Sequence, residues 1–214
     1  VAEVGTVPGV FFGGEGGLLG VAVAPTFADD RLVYLYATTT SGNQVLRAPL
    51  RQGRLGDVEV VLDGIPRSSI HNGGRLAFGP DGMLYVSTGD AAETALSQRP
   101  ESLGGKVLRI TPDGQVPDDN PDPTSPVFSS GHRNVQGIAW DADGTLWASG
   151  GAHHTAEGPI LGTHRDREPD ARQQRSDVER VARVRVRTGR CQALVLGQVA
   201  GGPGPDGDLA DEVI

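Results

Sequence analysis

The heptapeptide IHNGGRL, residues 70–76, places a histidine two residues before a pair of glycines at the start of an apolar run. Histidine titrates near neutrality, so an imidazole at the entrance of a strand is suited to act as a general base. Gly73 and Gly74 carry no Cβ atom and would let a flat ligand come close to the backbone. The alternative is that His71 only stabilises a turn, and this stretch by itself leaves both interpretations open.

Two further polar clusters stand at the same place relative to a strand. The stretch SSGHRNVQGIAW carries His132, Arg133 and Asn134 just before an apolar run. Arg133 is able to hold a carboxylate through two parallel hydrogen bonds, and Asn134 is able to bond a carbonyl-bearing ring. Glu15 lies between paired glycines in FFGGEGGLLG, again where a loop meets a strand. The alternative is that Arg133 is an ordinary surface residue and Asn134 an ordinary turn residue. The shared position of the clusters makes this alternative weaker.

Two groups of residues have the donor atoms of a metal site. The stretch VPDDNPDP contains oxygen ligands of the kind that calcium prefers, namely Asp118, Asp119, Asn120 and Asp122. Such runs are also typical of solvated turns, so calcium is one of two interpretations. Three histidines suggest zinc, but their spacing is irregular: His153, His154 and His164. The residues themselves therefore leave the metal ligands unknown.

Three segments that resemble one another must position these side chains: GVAVAPTFADDRLVYLYAT, RLAFGPDGMLYVSTGD and GIAWDADGTLWASG. Each reads as an apolar strand, a polar turn and a second strand with an aromatic residue. Aligning Ala22, Ala77 and Ala139 gives spacings of 55 and 62 residues. Repeats of this size, filled with strand signals, predict propeller blades whose loops converge at one end. An antiparallel sandwich explains the strands but not their recurrence.

Further strand candidates lie between the repeats: NQVLRAPLR, DVEVVLDG and GGKVLRITPDG. Propellers usually have about 4 to 8 blades, and blades this long allow fewer than four in the chain. The sequence therefore predicts an all-β fold, an incomplete propeller of about three blades that occupies residues 1–149. The open edges of such an arrangement are normally covered or paired, and a homodimer is one way to do so.

The pattern breaks at residue 150. Residues 150–214 contain no Phe, Tyr or Trp, and arginines crowd the stretch from Arg165 to Arg190. We interpret residues 150–214 as an atypical Arg-rich tail without regular structure, typical of disorder or of a shifted reading frame.

Composition excludes several classes of function. The net charge is -8 and the chain has one cysteine, so neither a general nucleic-acid surface nor an internal disulfide is expected. No apolar run approaches the roughly 20 residues that cross a bilayer. A leader of basic and then apolar residues is not seen, so no signal peptide indicates the destination of the chain.

Five motifs in order resemble one family: GGEGGLLGVAVAPTF, HNGGRLAFGPDGMLYVSTGDA, SLGGKVLRI, VPDDNP and GHRNVQGIAWDADGTLWAS. They are similar to the soluble glucose/sorbosone dehydrogenases that depend on pyrroloquinoline quinone (PQQ), also called aldose sugar dehydrogenases. The resemblance covers about residues 13–149, which is the front half of the family pattern.

The resemblance implies a six-bladed propeller of the sugar dehydrogenase type, with PQQ at one mouth of the channel and calcium against it. His71 matches the catalytic base that removes a proton from the anomeric hydroxyl of an aldose as hydride passes to PQQ, giving a lactone. Arg133 and Asn134 match residues that contact the cofactor. Glu15 stands where some members carry Gln near the substrate. An external electron acceptor and a periplasmic or secreted location follow from the same resemblance.

The sequence departs from the family after the WAS strand, where GGAHHTAEGPILGTHRDREPD replaces an expected calcium loop and later cofactor-binding blades. This departure puts the activity of the chain in doubt. A non-catalytic propeller fragment that binds carbohydrate or protein is therefore the alternative function.

Overall fold

The computed structural model describes residues 3–151, and this part of the chain is built almost entirely from β-strands. The strands, in chain order, are β1 (Leu18–Val23), β2 (Leu32–Thr38), β3 (Asn43–Arg51), β4 (Arg54–Leu55), β5 (Glu59–Ile65), β6 (Leu76–Phe78), β7 (Leu84–Ser87), β8 (Lys106–Ile110), β9 (Val127–Ser130), β10 (Asn134–Trp140) and β11 (Leu146–Gly151). A one-turn helix, α1 (Phe27–Asp30), and a 3-10 helix (Thr94–Gln98) complete the described elements.

The strands form three consecutive antiparallel sheets. The first has the order β1-β2-β3, with β4 and β5 both paired to β3; the second has the order β6-β7-β8-β9; the third is the pair β10-β11. The three predicted repeats are the pairs β1-β2, β6-β7 and β10-β11, so each repeat opens a sheet. Alternating apolar residues and tight turns specify such local pairs, because a strand pairs most readily with its nearest neighbour along the chain.

Several short elements were not predicted from the sequence. The long turn of the first repeat contains helix α1, which ends at Arg31 in a left-handed conformation with φ +64°. Strand β9 and the 3-10 helix also went unpredicted, because short elements carry too little periodicity to be recognised. The predicted tail, residues 150–214, and the histidines considered for zinc lie almost wholly outside the described residues.

The main core lies between the first and second sheets. Its buried residues are Ala24, Tyr34, Tyr36, Val45, Ile65, Leu76, Leu84, Val86, Leu108 and Ile110. Leu76 and Leu84 come from the second sheet, whereas Tyr34 and Tyr36 come from β2, so burial of these side chains fixes one sheet against the next. The loops that enter β1 and β6 are therefore held side by side.

The Tyr36 hydroxyl links this core to the loop before β6. It is fully buried and donates a hydrogen bond of 2.8 Å to the carbonyl oxygen of Asn72, and burial raises the pKa of the phenol. Tyr36→Phe is expected to lower the free energy of unfolding by about 1–3 kcal/mol, because a buried carbonyl loses its donor.

Urea unfolding of the two proteins measures this difference. Tyr34→Phe is the matched control, since the Tyr34 hydroxyl donates to the Pro112 carbonyl in a partly buried position where water is able to replace it. Equal losses in the two variants would contradict a special role of the Tyr36 bond.

Within residues 3–151, no helix is both long and apolar enough to cross a membrane.

Candidate active site

His71 lies in the loop between β5 and β6 and has a left-handed backbone, with φ +59°. This conformation is uncommon for a residue with a side chain and is held by its surroundings. The His71 N–H donates to Glu15 Oε2 at 2.7 Å, and the His71 carbonyl accepts from the Ala91 N–H at 3.2 Å. The Glu15 N–H in turn donates to the Ser69 carbonyl at 2.7 Å. The loop before β1 and the segment after β7 therefore fix the position of the histidine.

The buried side chain of the neighbouring Asn72 holds the same loop through hydrogen bonds. Its side chain donates to the Ser68 carbonyl at 2.9 Å and accepts from the Ser68 N–H and from Asn43 Nδ2, both at 3.1 Å. Asn72 is 1 % exposed, so these bonds hold the loop against the core.

Asp90 is the partner of the His71 ring, and the sequence analysis did not identify it. Asp90 is fully buried, and its Oδ1 lies 2.8 Å from His71 Nδ1. Because a carboxylate oxygen only accepts, Nδ1 carries the proton and donates it, which leaves Nε2 as the basic nitrogen of the neutral ring. The Ala92 N–H also donates to Asp90 Oδ1, at 2.9 Å. The pair has the arrangement of an oriented general base.

The second predicted cluster meets the first at the segment that contains Asp90. The Arg133 carbonyl accepts from the Asp90 N–H at 2.7 Å, and Asn134 forms an isolated β-bridge with Gly89. Asn134 Oδ1 accepts from the Gly73 N–H at 2.9 Å. The structure thus brings the loops of all four predicted site residues together, while their roles stay predictions.

A cavity of about 170 Å³ lies beside these loops. It is lined by Glu15, Leu19, Asn72, Gly73, Gly74, Arg75 and Gln136. The lining comes from the entrances of all three sheets, as expected for loops that converge at one end. Of the four predicted site residues, only Glu15 is in the lining; His71, Arg133 and Asn134 are not, although the three residues after His71 are.

Arg75 is a second residue that sequence reasoning missed. Its Nε donates to the Gln136 carbonyl at 3.1 Å, which holds the guanidinium at the cavity between the second and third sheets. Neither Arg75 nor Arg133 forms an ion pair within residues 3–151. Among residues 3–151, no acidic side chain therefore neutralises either guanidinium group, and Arg75 lines the cavity. Arg75 ends the HNGGR motif and Asp90 ends STGD, so position at the edge of a strand was the available signal.

His132 differs from His71 in its environment. Its Nε2 lies 2.9 Å from Ser129 Oγ. Burial, and after it the nearby charge of Lys106, lower the pKa of the His132 ring. His132 is therefore neutral at pH 7 and adds no positive charge to the cluster.

The acidic run considered for calcium has another partner in the structure. Asp119 accepts two hydrogen bonds from the Arg109 guanidinium, at 2.7 and 3.1 Å, and this contact lowers the pKa of the Asp119 carboxyl. Asn120 Oδ1 accepts from the same guanidinium at 2.9 Å. Asp122 Oδ1 accepts from the N–H and the hydroxyl of Thr124. Among the residues that the structure describes, no group of three or more His, Cys, Asp or Glu side chains is arranged to hold a metal ion.

Comparison with known proteins shows the family to which the chain belongs. The family described as Glucose / Sorbosone dehydrogenase matches residues 1–155. Aldose sugar dehydrogenase YliI of Escherichia coli (strain K12) is 33% identical over 161 aligned residues, which cover 68% of this chain and 43% of that protein. Quinoprotein glucose dehydrogenase B of Acinetobacter calcoaceticus is 30% identical, with 64% of this chain and 36% of that protein covered.

A solved structure gives the same result for the fold. The PQQ-bound aldose sugar dehydrogenase of Streptomyces coelicolor is 52% identical and superposes with a TM-score of 0.67. The match covers 71% of this chain and 47% of that protein's chain. The three antiparallel sheets thus match six-bladed propeller dehydrogenases over about half of their length, which confirms the predicted fold class. The chain spans less than half the length of the relatives named here, and it belongs to the glucose/sorbosone dehydrogenase family.

Proposed function

We propose that this chain binds PQQ and oxidises aldose sugars at the anomeric hydroxyl to lactones, with His71 as the base. The observation that carries the proposal is the buried contact between His71 Nδ1 and Asp90 Oδ1, which leaves Nε2 to take a proton. Membership in a family of quinoprotein sugar dehydrogenases supplies the class of reaction.

The described residues fit an anionic, flat cofactor. Arg75 in the cavity lining and Arg133 in the loop before β10 form no ion pair within residues 3–151. Gly73 and Gly74 line the cavity without side chains. A Cβ atom on Gly73 would lie 2.6 Å from the backbone of Thr88, so the close approach of backbone here requires glycine. When bound, PQQ supplies a two-electron acceptor for the hydride on C1 of the sugar. Arg133 and Asn134 are the residues we assign to holding it.

The chain's own residues handle the proton. His71 Nε2 takes the proton of the anomeric O–H, while the C1–H bond gives up its hydride and the C1–O bond becomes the lactone carbonyl. The imidazolium that forms is stabilised by the Asp90 carboxylate at Nδ1. Glu15 holds the backbone of the base and lines the cavity, which is compatible with its predicted place beside the sugar. Regeneration of bound PQQ would require an external electron acceptor, as the family resemblance implies.

Calcium rests on the family resemblance alone. Within residues 3–151, no three His, Cys, Asp or Glu side chains are grouped to hold a metal ion, and no step of the reaction is assigned to calcium. The homodimer and the periplasmic or secreted location likewise stay predictions.

A binding experiment tests the proposed function. The 214-residue chain is dialysed against PQQ, with and without calcium, and is then given an aldose and a dye as electron acceptor. We expect bound PQQ and dye reduction that yields the lactone. Failure to bind PQQ, together with saccharide binding that His71→Gln leaves unchanged, would favour the non-catalytic module, an alternative supported by the half-length match to the relatives.

Arg133→Met is expected to raise the dissociation constant of PQQ about 10- to 100-fold, because a charge-assisted hydrogen bond contributes about 1.5–3 kcal/mol. Arg51→Met is the matched control, since Arg51 is exposed at the end of β3. Equal affinities of the Arg133→Met protein and the unsubstituted chain in equilibrium dialysis would remove Arg133 from the site.

A further inference from the structure

Lys106 is the single lysine of the chain, and it is fully buried at the start of β8. Its Nζ donates to three carbonyl oxygens, those of Leu96 at 2.7 Å, Ser97 at 2.9 Å and Gly104 at 2.9 Å. Burial lowers the pKa of the ammonium group. A buried charge is expensive to keep, and a hydrophobic residue would pack there without that cost.

The loop that Lys106 binds begins at Asp90. The Glu93 N–H donates to the Asp90 carbonyl at 2.9 Å, and the Leu96 N–H donates to the Glu93 carbonyl at 2.9 Å. Two successive turns therefore connect the carboxylate that binds His71 to the first carbonyl that binds the ammonium.

The loop that contains Arg133 is attached to the same point. The Gly131 N–H donates to the Ser97 carbonyl at 3.0 Å, and the His132 N–H donates to the Gly105 carbonyl at 3.1 Å. The Ser97 carbonyl thus accepts hydrogen bonds from two groups, the Lys106 ammonium and the Gly131 N–H in the loop that precedes Arg133. On the other side, the Gly105 N–H donates to the Gly89 carbonyl at 2.8 Å, next to Asp90.

We infer that Lys106 is a positioning residue of the site: its ammonium group holds residues 91–105 and 131–133 in the arrangement in which Asp90 meets His71. The importance of this role for catalysis rests on the proposed function, but the geometry does not. A neutral apolar side chain offers no donor, so the buried carbonyl of Gly104 would lose the bond from the ammonium group. The carbonyl of Leu96 would keep only the bond of 3.3 Å from the Arg99 N–H. The turns that begin at Asp90 would then rearrange to find other donors.

The experiment observes the contact between His71 and Asp90 directly and needs neither PQQ nor sugar. A proton held between Nδ1 and a buried carboxylate gives a far-downfield line in the ¹H NMR spectrum of the 214-residue chain. His71→Gln and Asp90→Asn identify the line by removing it. We expect Lys106→Met to abolish or shift this line.

Arg109→Met is the matched control. Arg109 is a buried cation three residues further along β8, and its partners Asp81, Asp119 and Asn120 lie outside the site. The Arg109→Met protein should lose about as much stability as the Lys106→Met protein but should keep the downfield proton line. An unchanged line in Lys106→Met, an equal change in Arg109→Met, or the absence of the line from the unsubstituted chain would each overturn the inference.

If Lys106→Met does not fold, Lys106→Gln decides, because its amide has two N–H donors and at least one of the three carbonyls must lose its bond. A shifted line supports the inference and an unshifted line overturns it. In a chain that oxidises sugar, Lys106→Met should lower kcat about 10- to 100-fold with little change in KM, since misplacement of a base slows the chemical step more than it weakens sugar binding. An inactive unsubstituted chain that shows the line would count against the proposed function and not against the positioning role.

Discussion

His71→Gln is expected to lower the rate of aldose oxidation by the PQQ-loaded chain by about 10²- to 10⁴-fold, while PQQ binding stays unchanged. General-base catalysis typically contributes about this factor to the rate, and the factor is lost when the basic nitrogen is removed. Glutamine keeps a polar side chain of similar reach but has no basic nitrogen. Steady-state rates with a dye acceptor, set beside a PQQ titration of the same preparation, measure the two effects separately.

His71→Gly is the companion variant, because backbone strain must be separated from loss of the base. At φ +59° glycine relieves the backbone strain, which offsets part of the loss of the ring's hydrogen bond to the buried Asp90 carboxylate. We therefore expect this variant to fold with a lower free energy of unfolding. Added imidazole should restore part of its activity by entering the space that the side chain leaves. A His71→Gln protein that retains half of the original rate or more would show that another group takes the proton.

Gly89→Ala is expected to cost about 3 kcal/mol of stability or more and to displace His71. A Cβ atom at Gly89 would lie 1.8 Å from the His71 carbonyl oxygen and 2.9 Å from Asn134 Oδ1. The first atom belongs to the backbone and cannot turn away as a side chain would, so the segments themselves must separate. Thermal unfolding measures the stability loss, and loss or shift of the downfield proton line of the contact between His71 and Asp90 reports the displacement.

Gly104→Ala is the control within the same loop. Its added Cβ would meet Leu96 Cβ at 3.3 Å and the Gly89 carbonyl oxygen at 3.4 Å, contacts that small shifts relieve. We expect a loss of less than about 1 kcal/mol. Similar losses in both variants would mean that the close approach of residue 89 to His71 is not a requirement of the fold.

Local features of the sequence were sufficient for the strands. The predicted strand NQVLRAPLR is β3 (Asn43–Arg51), and the three repeats are the three strand pairs that open the sheets. These features could be predicted because side-chain alternation and turn residues act over a few neighbouring positions. The chemical types of the site residues were also legible, since His71, Arg133 and Asn134 each stand where a loop enters a strand.

Pairings over long separations could not be predicted in this way. Glu15 binds the backbone of a residue 56 positions away, and Asp90 binds the ring of His71 across 19 positions. Asp119 had the composition of a calcium ligand, yet it pairs with Arg109 because the turn after β8 folds back onto that strand. A single carboxylate is compatible with water, a metal or an arginine until its neighbours are known.

The sequence by itself determined the all-β character, the repeat and the residue types that gather at one end of the sheets. Only the tertiary structure decided that Asp90 is the carboxylate that binds His71. It also decided that Lys106 binds the loop that connects Asp90 with the segment before Arg133. The physical reason is range: strand formation depends on residues a few positions apart, whereas burial and hydrogen-bond partners are set by how separate sheets pack.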